Sequence, residues 1–184
     1  MNDLDHSHGH GEHHTQPSHI SHKEQDTLSL GCVVITCSDS RTLDTDISGK
    51  LICHLLKSQG HTIIDYRILK DEPADITKHL QQTIQQSTSH IIIINGGTGI
   101  SKRDSTFEAV DGFLEKRLDG FGELFRYLSY NDIGSAAMLS RATAGIRGHH
   151  VIFSIPGSKG AVQLAMEKLI LPELGHLVGE LTKP

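Results

Sequence analysis

A glycine-rich segment that follows an apolar run contains residue types suited to binding an anion together with a divalent metal ion. Four isoleucines at 91–94 lead into NGGTG at 95–99, and Arg103 and Asp104 follow. Because glycine lacks a Cβ atom, backbone N–H groups beside it can come close to a ligand and form an anion cradle. The guanidinium fork of arginine suits phosphate, and a carboxylate beside phosphate suits a divalent ion held between them. The segment therefore predicts a site for a phosphate and a metal ion.

The same residues also have simpler interpretations. Lys102 stands where the dinucleotide-binding motif has its last glycine, and the P-loop pattern G-x-x-x-x-G-K-[ST] does not occur in the sequence. Glycines after a strand often form ordinary turns, and an aspartate such as Asp104 also stabilises the start of a helix. The chemical interpretation therefore depends on other loops that bring complementary groups to the same place.

The chain alternates between strand-like and helix-like patterns from about Leu28 onward. The predicted strands are nearly continuous apolar runs, as expected for strands covered on both faces, and the predicted helices repeat apolar residues every three or four positions. Strands are predicted at 28–36, 61–69, 89–95 and 149–156, and helices at 46–59, at 70–86, from a capping Thr106 to about Arg117, at 121–142 with a break near 131–134, and from the loop at 156–160 past Pro172. This order predicts an α/β fold with a mostly parallel sheet and helices on both faces.

Four loops that follow predicted strands would meet at one edge of such a sheet, where parallel α/β proteins bind their ligands. The loops are CSDSRT (37–42), KDEP (70–73), NGGTGISKRD (95–104) and PGSKG (156–160). Asp71 in the second loop supplies another carboxylate for the metal ion that Asp104 would contact. The prediction of a binding site rests on this convergence.

Length and composition exclude several classes of protein. The 184 residues suggest one domain with a tail, and a formal net charge of −5 argues against binding to duplex nucleic acid. No apolar run approaches the roughly 20 residues needed to span a bilayer, and the N-terminus shows no secretory signal. The three cysteines have no C-x-x-C spacing, so reduced, mostly buried thiols in a cytoplasmic protein are predicted. Cys32 and Cys37 are predicted to point to opposite faces of one strand.

Residues 1–27 form a separate, histidine-rich segment. It contains seven of the fourteen histidines and few apolar residues, so a disordered tail is predicted, followed by a folded domain at 28–184. Two interpretations of its histidines stay open, namely incidental metal affinity and the storage or delivery of a transition metal.

Several segments together resemble the MoaB/MogA family of molybdenum-cofactor biosynthesis proteins, and its MoaB branch in particular. NGGTGISKRDSTFEAV (95–110) is similar to the family signature, in which GGTG precedes RD-x-T-x-E-A. The segments SDSRTLDTDISGK, GFGELFRYLSY, LSRATAG and FSIPGSKGAVQLAMEKLILPEL also occur in the family order. The resemblance covers about Leu28 to the C-terminus. Ser105 stands where the family usually has valine and Phe107 where it often has proline, and neither residue is an expected ligand.

The resemblance implies a three-layer α/β/α, molybdopterin-binding domain with a mostly parallel sheet, assembled as a trimer or a hexamer. Active members of the family transfer AMP from ATP to the terminal phosphate of molybdopterin with Mg²⁺ and release pyrophosphate, and a partner enzyme then supplies molybdate. The implied catalytic residues, which would hold Mg²⁺, are Asp71 and Asp104. The residues expected to bind the substrates or their phosphates are Ser38, Asp39, Gly96, Gly97, Thr98, Gly99, Arg103, Pro156, Gly157 and Ser158.

The sequence leaves a second function open, in which the domain binds molybdopterin or a precursor as a carrier without catalysing adenylyl transfer. Arg41 is either a phosphate contact or part of a surface ion pair. The remaining polar residues with structural interpretations are subunit contacts at Arg126, Tyr127 and Arg141 and strand positions at His149 and His150.

Overall fold

The computed structural model describes residues 29–85 and 88–183, which form a six-stranded sheet covered by helices. The strands are β1 (Gly31–Cys37), β2 (Thr62–Leu69), β3 (Ile91–Asn95), β4 (Lys116–Arg117), β5 (Thr143–Arg147) and β6 (His150–Ile155). The α-helices are α1 (Ile47–Ser58), α2 (Pro73–Ile84), α3 (Thr106–Asp111), α4 (Asp119–Ile133), α5 (Lys159–Ala165) and α6 (Leu174–Leu181). Two 3-10 turns (Gly134–Leu139 and Leu171–Glu173) and a π-helical turn (Met166–Ile170) complete the described elements. The predicted tail at 1–27, and Leu28 after it, lie outside the described residues.

The sheet has the strand order β2-β1-β3-β6-β5-β4. β1 pairs in parallel with β2 and β3, and β3 pairs in parallel with β6. β5 runs antiparallel to both β6 and β4. The mostly parallel α/β fold predicted from the sequence is therefore confirmed. The four parallel strands end at one edge of the sheet, where the four predicted loops begin.

Two apolar layers cover the faces of the sheet. All residues of β1 and β3 are buried, because both strands lie inside the sheet with helices over each face. Alternate isoleucines of β3 divide between the layers, one pair with α1 and α5 and the other with α2 and α3. Cys32 and Cys37 lie in opposite layers, as predicted. Burial raises the pKa of each thiol to about 12.

Local sequence signals determine where the first two helices begin and end. Asp46 is the N-cap of α1, and its carboxylate accepts a hydrogen bond of 3.0 Å from the Gly49 N–H. Gly60, with a φ of +83°, follows the end of this helix. Pro73 begins α2, where its missing N–H costs no helical hydrogen bond. Both helices lie within the predicted ranges.

The prediction for the helix at Thr106 was wrong in two respects. Ser105, and not Thr106, is the N-cap residue, and α3 ends at Asp111 and not near residue 117. The Thr106 hydroxyl instead donates a hydrogen bond of 3.0 Å to Oδ1 of Asp71. Lys116–Arg117 is a short strand that pairs with β5.

The antiparallel strands β4 and β5 were not predicted from the sequence. β4 has two residues, and β5 reads TAGIR, with a glycine at its centre. Segments this short show no alternation of apolar and polar residues that separates a strand from a loop. Pairing with β6 makes β5 a strand, and pairing with β5 makes β4 a strand. Throughout the described part of the chain, no helix is long and apolar enough to cross a membrane.

Candidate functional site

A cavity of about 560 Å³ lies at the edge of the sheet where the four parallel strands end. We call it the strand-end cavity. Its wall includes every substrate-binding, catalytic or metal-binding residue that the sequence predicted: Ser38, Asp39, Asp71, Gly96, Gly97, Thr98, Gly99, Arg103, Asp104, Pro156, Gly157 and Ser158. The sequence did not single out Thr36, Asn95, Leu139 and Ser140, which also line it. The four loops therefore converge on one cavity, while the chemical roles of the predicted residues stay predictions.

Asp71 is held in a fixed orientation by the start of α3. Its side chain is 7% exposed. Its Oδ1 accepts hydrogen bonds from the Ser105 N–H at 3.1 Å, the Ser105 hydroxyl at 3.0 Å and the Thr106 hydroxyl at 3.0 Å. Ser105 therefore contacts Asp71 through both its backbone and its side chain.

Asp104 is oriented by its own loop. Its Oδ2 accepts hydrogen bonds from the Ser101 N–H at 3.0 Å and from the Ser101 hydroxyl at 2.5 Å. In both Asp71 and Asp104, one carboxylate oxygen therefore collects the hydrogen bonds found among the described residues. The other oxygen of each carboxylate accepts no hydrogen bond among the described residues.

Two glycines of the loop lie directly against these two carboxylates. A Cβ atom on Gly97 would lie 2.1 Å from the Thr106 Oγ1 atom and 2.2 Å from Oδ2 of Asp71, and the φ of Gly97 is +58°. A Cβ atom on Gly99 would lie 2.6 Å from Oδ2 of Asp104. These glycines are needed because the backbone passes within contact distance of the carboxylates, a reason that adds to the predicted cradling of phosphate.

The backbone amides of the glycine loop differ in whether they already donate a hydrogen bond within the protein. The Gly96 N–H donates a hydrogen bond of 3.1 Å to the carbonyl of Ile155, at the end of β6. This bond joins the loop after β3 to the end of β6, just before the PGSKG loop. The predicted cradling of phosphate therefore falls to the amides that follow Gly96.

Arg103 joins three of the four loops. Its Nη2 donates a hydrogen bond of 2.8 Å to Oδ2 of Asp39, and its Nη1 donates one of 2.8 Å to Oε1 of Glu72. The bond from Arg103 is the main cause that lowers the pKa of Asp39. Because the guanidinium fork already holds two carboxylates, a phosphate would share or replace one of them. The sequence did not identify Glu72, since its partner lies 31 residues away.

The buried carboxylate of Asp46 and its hydrogen-bond partners lie next to the cavity, because Thr36 and Arg41 belong to both. Asp46 is fully buried, and its Oδ2 accepts hydrogen bonds from the Thr36 hydroxyl at 2.5 Å and the Tyr66 hydroxyl at 2.8 Å. Burial acts to raise the pKa of Asp46, but the hydrogen bonds from Gly49, Thr36, Tyr66 and Arg41 outweigh it and lower that pKa. Asp46 is therefore a carboxylate at neutral pH.

Arg41 belongs to this network. Its Nη1 lies 3.2 Å from Oδ1 of Asp46, and its Nη2 donates a hydrogen bond of 3.4 Å to the carbonyl of Gly157. The interpretation of Arg41 as an ion-pair residue is confirmed, although its partner is buried and not on the surface. Arg41 also lines the strand-end cavity, so phosphate contact stays a prediction.

Asn95 presents a buried acceptor beside the cavity. Its Nδ2 donates hydrogen bonds to the Ile35 carbonyl at 3.3 Å and to the Thr36 Oγ1 at 2.8 Å. Because a carbonyl only accepts, the amide nitrogen must be on this side. The Oδ1 of Asn95 is buried and has no hydrogen-bond partner among the described residues. Such an acceptor favours a donor from a ligand or a water molecule.

The donor set suits a magnesium ion shared with phosphates. Mg²⁺ prefers oxygen ligands, and proteins commonly bind it through one or two carboxylates plus substrate phosphates. Asp71 and Asp104 supply two carboxylates in the wall of the strand-end cavity. No group of three or more His, Cys, Asp or Glu side chains suited to a metal occurs in the described ranges. The residues therefore fit an ion completed by the ligand, and do not fit one held by the protein alone.

The fold and the cavity define an α/β domain with a cavity at the carboxyl ends of its parallel strands. The family model described as "Probable molybdopterin binding domain" matches residues 33–176. The chain belongs to this family, and the resemblance noted from the sequence is confirmed.

Relatives and solved structures agree with this assignment. "Molybdenum cofactor biosynthesis protein B" of Bacillus anthracis is 52% identical over 161 residues, which are 87% of this chain and 95% of the relative. The protein of the same name from Bacillus subtilis is 50% identical over 163 residues, 88% of this chain and 96% of the relative. A crystal structure of a "Molybdenum cofactor biosynthesis protein B" is 51% identical, with a TM-score of 0.83, and covers 85% of this chain and 98% of that one. The "tungsten cofactor synthesizing protein MoaB" of Pyrococcus furiosus is 36% identical, with a TM-score of 0.76, over 84% of this chain and 98% of that one.

Proposed function

We propose that this protein acts in molybdenum cofactor biosynthesis and transfers an adenylyl group from ATP to the terminal phosphate of molybdopterin with Mg²⁺. The observation that carries the proposal is the position of Asp71 and Asp104, beside the glycine loop, in the wall of one cavity. Membership in the family described as a probable molybdopterin-binding domain supports the choice of substrate. The names of the relatives from Bacillus support the pathway.

The proposed reaction needs positioning and charge neutralisation more than a protein nucleophile. An oxygen of the terminal phosphate of molybdopterin attacks the α-phosphorus of ATP, the bond from that phosphorus to the β-phosphate oxygen breaks, and pyrophosphate leaves. Among the residues that line the cavity, Cys37 has the side chain that is intrinsically the most nucleophilic. Burial raises the pKa of its thiol to about 12, so a thiolate at Cys37 does not contribute.

Asp71 and Asp104 have the same proposed role, which is to hold Mg²⁺ against the phosphates. When bound, the ion would neutralise negative charge on the phosphates. The hydrogen bonds from Ser105 and Thr106 orient the Asp71 carboxylate, and those from Ser101 orient Asp104. Both carboxylates are therefore oriented before the ligand arrives, which reduces the cost of organising the site.

The proposal also includes an assembly and partners. Large apolar side chains are exposed along α4 and the 3-10 turn after it, at Tyr127, Tyr130, Ile133 and Met138. Exposed apolar patches of this kind mark interaction surfaces, and they support the expected homo-oligomer, a trimer or a hexamer. Sedimentation equilibrium should give a mass above that of one chain, and Tyr127→Glu with Tyr130→Glu should reduce it. A monomer at micromolar concentration would contradict the proposed homo-oligomer.

The proposal also includes a partner enzyme. The adenylylated product would pass to this enzyme, which inserts molybdenum.

The test of the enzyme function is pyrophosphate release from ATP with Mg²⁺ and molybdopterin. The wild-type protein should release pyrophosphate, and Asp71→Asn and Asp104→Asn should each lower the rate on the order of 100-fold or more, because each removes a carboxylate that would hold Mg²⁺ against the phosphates. Asp44→Asn is the matched control. Asp44 is an exposed aspartate outside the cavity wall, so its variant should keep the wild-type rate.

The alternative function, binding of molybdopterin or a precursor without catalysis, predicts a different result. Molybdopterin would bind to the wild-type protein, measured by fluorescence or calorimetry, and no pyrophosphate would form. That outcome would refute the adenylyltransferase and leave a carrier of the same fold. Equal release by the wild-type protein and both aspartate variants would place the chemistry elsewhere in the molecule.

A further inference from the structure

Arg141 contacts the backbone of the glycine loop. Its Nε donates a hydrogen bond of 3.0 Å to the carbonyl of Thr98, and its Nη2 donates to the carbonyl of Gly99. The same Nη2 lies 3.5 Å from the carbonyl oxygen of Asp104. Arg141 itself is not part of the cavity wall that the described residues form. One side chain therefore binds several carbonyls of the loop that carries the predicted phosphate and metal groups.

Arg141 is in turn fixed from the side of α3. Its Nη1 forms an ion pair with Oε1 of Glu108, and its guanidinium carbon lies 5.0 Å from the centre of the Phe107 ring. The side chain is 26% exposed. Charge, ring contact and partial burial together restrict Arg141 to one position. The suggestion from the sequence that Arg141 makes a subunit contact stays a prediction beside these contacts within its own chain.

The direction of the loop amides follows from the direction of the loop carbonyls. In a trans peptide, the C=O and the N–H of the next residue point in opposite directions. The Gly97 carbonyl accepts from the Thr106 N–H at 3.1 Å, and the next two carbonyls accept from Arg141. Three successive carbonyls therefore accept hydrogen bonds within the protein, and the N–H groups of Thr98, Gly99 and Ile100 each point away from the carbonyl of their own peptide. Among the described residues, these three amides donate no hydrogen bond.

We infer that Arg141 is a positioning residue that turns the amides of Thr98, Gly99 and Ile100 outward to bind a phosphate group of the substrate. Successive amides of this kind, next to a glycine with positive φ, form an anion-binding concavity. The inference deepens the proposed function and rests on it for the identity of the substrate. Anion binding by these amides does not require that the protein catalyse adenylyl transfer.

The first experiment uses the wild-type chain and inorganic pyrophosphate as the probe. Addition of pyrophosphate should shift the ¹⁵N amide resonances of Thr98, Gly99 and Ile100 more than those of loops outside the cavity. If these three resonances stay in place while pyrophosphate binds elsewhere or does not bind, the inference is overturned. Since no turnover is measured, this result is independent of the pyrophosphate-release assay for the proposed function.

The second experiment compares Arg141→Met with a matched variant, Arg147→Met. Arg147 has the same kinds of contact: its guanidinium carbon lies 4.4 Å from the centre of the Phe113 ring, its Nη1 donates to the Phe113 carbonyl at 2.8 Å, and its Nε faces Glu115. Arg147 is not part of the cavity wall. Arg141→Met should weaken pyrophosphate binding at least ten-fold by calorimetry, and Arg147→Met should stay within two-fold of the wild type.

Chemical rescue separates positioning from general loss of structure. Millimolar methylguanidinium should restore part of the pyrophosphate affinity of Arg141→Ala, because it can occupy the place of the missing guanidinium, and should leave Arg147→Ala unchanged. Arg141→Lys should recover less pyrophosphate affinity than methylguanidinium restores to Arg141→Ala, since an ammonium group lacks the planar fork that spans the two carbonyls. Equal weakening by both methionine variants, or wild-type affinity in Arg141→Met, would overturn the inference.

Discussion

The Thr36 hydroxyl donates a 2.5 Å hydrogen bond to Oδ2 of the fully buried Asp46. Because the Thr36 proton is used in this bond, the Thr36 oxygen can only accept from Asn95, whose Nδ2 lies 2.8 Å away. The chain of bonds therefore sets which way the Asn95 amide faces. The Asp46 carboxylate thus determines that Asn95 presents an acceptor, and not a donor, beside the cavity.

Removing the charge of Asp46 should destabilise the fold. Asp46→Asn loses the ion pair with Arg41 and weakens two hydroxyl bonds, so we expect the free energy of unfolding to fall by about 3 kcal/mol. Urea unfolding followed by circular dichroism measures the change. Asp44→Asn, at an exposed position two residues earlier, should change stability by less than about 0.5 kcal/mol. Equal effects of the two substitutions would contradict the assigned role of Asp46.

A side chain at Gly97 should disrupt the site far more than backbone conformation alone explains. Gly97→Ala places a Cβ about 2 Å from Asp71 and Thr106 atoms, whereas Gly148, with a similar φ of +55°, has open space around it. Gly148→Ala should cost about 1 kcal/mol for the positive φ, and Gly97→Ala should cost about 1–3 kcal/mol more for overpacking. Thermal unfolding of the two variants makes the comparison. A smaller loss for Gly97→Ala than for Gly148→Ala would show that the loop moves freely away from Asp71.

Stability should fall on mild acidification through His79. Burial is the main cause that lowers the pKa of His79 below its ordinary value of 6.5, and Arg67 adds to it while Asp65 opposes it. The unfolded chain then binds the proton more tightly than the folded one, so the stabilisation is complete above pH 6.5 and is lost as the pH falls below that value. His79→Gln should reduce the slope of unfolding free energy against pH in this window. Exposed His54→Gln should leave the slope unchanged, and the same slope in His79→Gln as in the wild type would refute the prediction.

Arg103 should matter for ligand binding and little for stability. It is 62% exposed, and its pairs with Asp39 and Glu72 are on the surface, where ion pairs contribute about 0–1 kcal/mol. Arg103→Met should therefore change stability by less than about 1 kcal/mol but weaken pyrophosphate binding about ten-fold or more, because charge-assisted bonds to phosphate contribute about 1.5–3 kcal/mol. Arg67→Met, which breaks the exposed pair with Asp65, is the control. Unchanged pyrophosphate binding in Arg103→Met would show that the Arg103 guanidinium only holds the loops together and does not contact the phosphate.

The sequence predicted those features whose physical signals are local or set by simple topology. Buried runs such as 91–94 indicate interior strands, and parallel strands must end at one edge, so the convergence of Asp71 and Asp104 follows from chain order alone. The starts of one helix near Asp46 and of the next near Pro73 are also local. Family signatures added the expected substrate.

The rest depends on contacts between residues far apart in the chain. Arg141 reaches the loop at Thr98 across 43 residues, and Arg103 reaches Glu72 across 31. No periodicity or short motif contains such pairs. The misassigned Thr106 has the same origin, because a threonine at a helix start ordinarily caps it, and the nearby Asp71 carboxylate takes its hydroxyl here. Two-residue β4 becomes a strand through its partner and not through its own sequence.

The outer strands of the sheet have a consequence for aggregation. In the described sheet, β2 and β4 are the two edges, and an exposed edge can pair with the edge of another molecule. β2 carries the charged pair Asp65 and Arg67, while β4 is two cationic residues long. Charges and short length both oppose such pairing. The interior strands, which contain the buried isoleucines, therefore lie between two edges that resist the growth of fibrils.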